Sequence, residues 1–124
     1  MKIEVSIGEV VDKLSILAIK KKNIEDANKL KNISKEYAYL YDVVFNKLKI
    51  EFSDYSKLVD VNTILWQVED DLREKEYEKL FDNSFIELAR LVYVTNDQRA
   101  DIKKEINVKY GSRFVEEKSY TKYN

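Results

Sequence analysis

The chain has no cysteine, no histidine and no proline, and only two glycines. Without cysteine there is no disulfide, no thiol nucleophile and no thiolate metal site. Without histidine the commonest general base near neutral pH and the commonest zinc ligand are gone. Gly8 and Gly111 stand alone, so neither a P-loop nor a Rossmann fingerprint is present, and no serine sits in a G-x-S-x-G elbow. No apolar run approaches the ~18 residues of a membrane span. The opening MKIEVSIGEV lacks the apolar core and cleavage site of a secretory leader. These absences lead us to expect a cytoplasmic protein with no membrane span, no metal and no cofactor.

What is present points to helices. Lys, Glu, Leu and Ile are abundant, and 124 residues suit one domain, 1–124, with a sizeable core. Nine tyrosines suggest amphipathic packing at core edges or interfaces. With 22 basic and 23 acidic residues, no global field calls for nucleic acid. The charge is uneven, however. Residues 1–50 carry ten lysines against seven acids, and residues 51–124 carry twelve basic against sixteen acidic residues.

Apolar spacing predicts four helices, at about 7–24, 27–50, 57–80 and 85–110, with a polar tail at 112–124. Ser6 with Glu9 reads as a capping box at the first helix, with Gly8 tolerated in its first turn. Asp26 is the candidate cap of the second, although the apolar period nearly continues across the turn. Ser53–Ser56 reads as a loop. Ser84 with Glu87 repeats the capping-box pattern, and Gly111 supplies the last C-cap. The fold class expected is an all-α antiparallel four-helix bundle or paired helical hairpins, completed by dimerisation in one version, with homo-oligomerisation expected.

Two polar lines interrupt this pattern. In the third helix Asn62, Trp66, Glu69, Arg73 and Glu76 share one face, and a tryptophan draws its neighbours toward a partly enclosed groove. In the fourth, the apolar line from Phe85 through Val92 runs into Asn96, Arg99 and Lys103. Two cations and an amide on one face can hold a carboxylate or phosphate, and can equally neutralise Glu69 and Asp70 of the third helix in a buried network. Arg90, Tyr93 and Asp97 form a weaker set. The carboxylates Glu69, Asp70, Asp71 and Glu74 match the E-x-x-E pairs of helical nucleotide pyrophosphohydrolases only loosely.

The runs VSIGEVVDKLSILAIK, VNTILWQVEDDLREKE, FDNSFIELARLVYVTNDQRADIKKEIN and GSRFVEEKSY resemble an uncharacterised domain-of-unknown-function family of small helical bacterial and phage-borne proteins. The blocks are S-x-G-E-x-x-D-K, L-W-x-x-E-D, L-A-R-x-V-Y-x-x-N-D-x-R-A-x-I-K and G-S…E-E-K-S-Y. Members tend to have proline where Ile7 stands. The resemblance implies a setting beside surface-polysaccharide and glycosyltransferase genes. It also singles out Asp12, Lys13, Glu116, Glu117 and Lys118 besides residues of the two polar lines.

The function expected is a non-catalytic binding or accessory module, for an anionic small molecule or a partner protein such as a glycosyltransferase. Asn62, Trp66, Arg73, Asn96, Arg99 and Lys103 would line its groove between the third and fourth helices. The alternatives are an enzyme on a phosphorylated or sugar-nucleotide substrate, with Glu69 or Asp97 as carboxylate base, and a purely structural helical oligomer.

Overall fold

A computed structural model describes residues 1–123. It is an all-α bundle, with helices α1 (Ile7–Asn23), α2 (Ala27–Tyr41), α3 (Phe52–Glu78) and α4 (Asn83–Lys109), and no strand among the described residues. A π-helical turn, Asp42–Lys47, extends α2.

Each helix start has a chemical cause. The Ser6 hydroxyl accepts from Glu9 N–H at 3.2 Å, and Asp26 accepts from Lys29 N–H at 2.9 Å. The α1–α2 hairpin is therefore a true break, sealed by a cap rather than by glycine or proline. Asp82, not Ser84, caps α4, accepting from Phe85 N–H at 2.9 Å. α3 begins five residues before the expected 57, so Ser53–Ser56 lies in its first turns instead of a loop. Glu51 makes no side-chain cap there. Its N–H instead donates to the Tyr110 hydroxyl at 2.9 Å, and that hydroxyl donates to Asp54 at 2.6 Å. The end of α4 thus caps the start of α3. Gly111, at φ 67°, closes α4 in a Schellman motif, with Ser112 N–H reaching Asn107 C=O at 2.8 Å.

The core joins α1, the π turn, α3 and α4. Val11, Leu14, Val44, Leu58 and Ile106 are its most buried members. Each contributes about 1.5–3 kcal/mol by leaving water. The π turn brings Val44 into this core and Phe45 against it, and Phe45 meets the rings of Tyr41, Phe52 and Tyr55. α2 buries no residue fully and packs chiefly on α1. α3 and α4 form the longest contact, and α1 lies against both.

Candidate functional site

α1 runs antiparallel to α4, and three successive polar contacts fix its register. At the first, Gly8 N–H donates to Asn107 Oδ1 at 2.6 Å. A Cβ on Gly8 would stand 2.6 Å from the Lys103 carbonyl oxygen. Gly8 is therefore a point of close approach between α1 and α4 that a side chain would obstruct, not merely a tolerated residue. One turn on, Lys103 Nζ sits between Glu9 (2.7 Å) and Glu116 (3.1 Å). Next, Arg99 donates through Nε and Nη2 to both oxygens of Asp12, which is 1% exposed. Asn62 of α3 completes the set, donating to Asp12 Oδ1 at 2.9 Å and to the Ser15 hydroxyl at 2.8 Å.

The electrostatics follow from these pairs. The hydrogen bonds to Asp12 hold the Arg99 pKa above its ordinary value. Burial alone would lower that of Lys103, but Glu9 and Glu116 outweigh it and the net shift is upward. Lys118, then Lys103, hold the Glu116 carboxyl below the usual carboxylate range.

Past the Lys103–Glu116 contact the tail folds back along α4. The Tyr123 hydroxyl donates to Asp97 at 2.8 Å, and its ring meets Tyr93 edge-on at 5.1 Å. Between α4 and the tail lies a cavity of about 730 Å³. Among the described residues its cations are Arg99, Lys103, Lys118 and Lys122, its one carboxylate is Asp97, and Tyr93, Tyr120 and Tyr123 supply rings. Three donors there have no protein partner among the described residues: Arg99 Nη1, the Asn96 amide and the Lys122 ammonium.

Of the residues expected to line a groove, Asn96, Arg99 and Lys103 line this cavity. Asn62 stands behind Arg99, in the buried network. Trp66 is half-buried and Arg73 exposed on α3, outside the lining. Arg99 and Lys103 do form a network, but with Asp12, Glu9 and Glu116 rather than with Glu69 and Asp70. Of the two candidate bases, Asp97 faces the cavity, whereas Glu69 is exposed and does not line it. Among the described residues no cluster of three carboxylates is placed to hold a metal ion.

A family of unknown function, DUF6165, matches residues 1–123. The chain belongs to DUF6165. No curated protein and no solved structure matches it. In this DUF6165 chain, sequence blocks distant from one another meet at one place. The first block supplies Gly8, Glu9 and Asp12, the third Arg99, Lys103 and Asn107, and the last Ser112 and Glu116. Spacing gave no sign of Asn107 or of the tail residues as lining. The signals available were Gly8, a glycine inside a helix of a glycine-poor chain, and the Glu116–Lys118 block that the resemblance singles out.

Proposed function

We propose that the protein is a non-catalytic binding module for an anionic small molecule, held between α4 and the tail. The observation that carries this reading is the cavity whose described lining has four cationic side chains, a single side-chain carboxylate and three tyrosine rings. Arg99 is oriented by Asp12 and keeps Nη1 for a ligand, so it can meet a carboxylate or phosphate oxygen without moving. Asn96 adds an uncharged donor and Lys122 a further charge, while the rings offer flat walls to a sugar or base. Asp97, the carboxylate an enzyme would need as base, already accepts a proton donor from Tyr123. That hydrogen bond occupies one oxygen of Asp97 with a tail residue rather than with a substrate proton. In this reading the glycosyltransferase association implied by the resemblance supplies the setting, and the site works in the cytoplasm.

Thermal unfolding in the presence of sugar phosphates, nucleotide sugars and inorganic pyrophosphate tests the proposal. A ligand at a hundred times its dissociation constant should add about 2.7 kcal/mol to stability. Lys122→Glu and Asn96→Leu should remove that gain without lowering the stability of the free protein. Absence of any shift across the anions would overturn the reading. Turnover of a panel member, abolished by Asp97→Asn, would replace it with the enzyme.

A further inference from the structure

α3 and α4 are each 27 residues long and α1 only 17. The register set by Gly8–Asn107, Asp12–Arg99 and Asn62–Asp12 brings α1 to its end well short of the α3–α4 turn. About a turn and a half of each long helix therefore projects past Asn23. The tip of that hairpin carries unpartnered apolar side chains, with Tyr77 88%, Phe81 56%, Ile86 54% and Leu80 46% exposed. Contiguous exposed apolar groups of this size mark an interaction surface.

The chemistry around them selects the occupant. Residues 69–90 hold eight acids against four basic residues, which disfavours an anionic lipid surface or a nucleic acid. Residues 20–41, the end of α1 and all of α2, hold six lysines against three acids. That segment lies beside the step where α1 stops, and α2 has no fully buried residue. Among the described residues no ion pair joins these two segments within one chain. Asp82 and Glu76 pair within the tip, with Lys75 and Lys79, which leaves Glu74 and Glu78 of the tip and Lys29 and Lys31 of α2 without an ion pair among the described residues.

We infer that the hairpin tip of one copy docks on the lysine-rich α1–α2 end of a second copy, and reciprocally, forming a twofold dimer. Such an interface is isologous, so each copy gives its tip and receives its partner's, and the assembly closes at two. Exposed side chains like those four offer on the order of 100–200 Å² each. Eight of them, with the lysine faces they cover, reach the ~1,000 Å² that a specific interface clears. The dimer is independent of the anion cavity, because the tip and the α1–α2 end do not line it.

Sedimentation velocity across a concentration series, with the full chain, tests this. The wild type should run at twice 14.7 kDa. Leu80→Glu with Phe81→Glu should run as the monomer, with unchanged far-UV circular dichroism. Glu74→Lys with Glu78→Lys, and separately Lys29→Glu with Lys31→Glu, should each weaken the dimer at least tenfold. Mixing these two charge-reversed proteins should restore association between them. A wild type that stays monomeric up to the highest concentration would overturn the inference. So would a dimer insensitive to the tip variants, an open series of larger oligomers, or failure of the charge-reversed pair to associate.

Discussion

Two glycines serve two different physical needs, and substitution separates them. At Gly8 the backbone is ordinary helix, but an added Cβ would meet the Lys103 carbonyl oxygen at 2.6 Å and the Asn107 Oδ1 at 3.0 Å. At Gly111 nothing lies within 4 Å of the added carbon, and only φ 67° resists it. Gly8→Ala should therefore cost about 1–3 kcal/mol by forcing α1 off α4. Gly111→Ala should cost about 1 kcal/mol from backbone strain alone. Urea unfolding of both variants checks the order; equal losses would mean that the close approach at Gly8 relaxes freely. Asp12 and Arg99 pose a sharper test. Asp12 is buried and both of its oxygens accept from Arg99, so Arg99→Met leaves a buried charge without its counter-ion. The loss should be about 3–5 kcal/mol. The double variant Asp12→Leu/Arg99→Met should lose far less than the two singles combined, since a neutral pair needs no compensation. Additive losses in that cycle would show that the two side chains act independently.

At the scale of elements, the junction between α3 and α4 has a pH signature. Burial raises the Asp54 carboxyl, but hydrogen bonds from Lys109 and Tyr110 outweigh it, and the net shift is downward. A carboxyl with a depressed folded pKa contributes stability that is present above its unfolded value, near ~4. That contribution disappears as pH falls through the folded pKa. Stability should thus decline from about pH 4 downward, and Asp54→Asn should flatten that decline while lowering stability at pH 7. Urea melts between pH 7 and 2 report both, and an unchanged acid limb would remove Asp54 as its source. The helices themselves were legible in sequence because apolar periodicity is a local signal, as the Ser6 and Asp26 caps were. The start of α3 was not legible. Its N-terminus is satisfied from α4 by Tyr110, 59 residues away, so Ser53–Ser56 carries turn residues that tertiary contact keeps helical. The π turn was hidden for a related reason, since packing of Val44 and Phe45 against α1 and α3 decides it.

For the whole molecule, the polar interruption of α4 is visible in the sequence, but the helix that supplies its partners is not. Arg99 and Lys103 share a face that reads the same whichever neighbour covers it, and sequence spacing cannot tell α1 from α3. The structure puts α1 behind that face and the tail in front, so a site between α4 and the tail depends on the last residues of the chain. Every member of the main core cluster lies between Val11 and Ile106. The tail adds ion pairs, Lys103–Glu116 and Lys104–Glu117, whose carboxylates are 39% and 72% exposed. Pairs of that exposure contribute at most about 1 kcal/mol each. Lys103 keeps Glu9 when the tail is gone, so its charge is not stranded. A chain ending at Ser112 should therefore stay folded, with circular dichroism of the four helices intact and a small loss of stability. Its response to anions should vanish, because Lys118, Lys122 and two of the three tyrosines leave with the tail. Thermal unfolding of the shortened chain with and without the most stabilising anion measures both at once. A shortened chain that kept the full anion response would move the site off the tail and onto α4 alone.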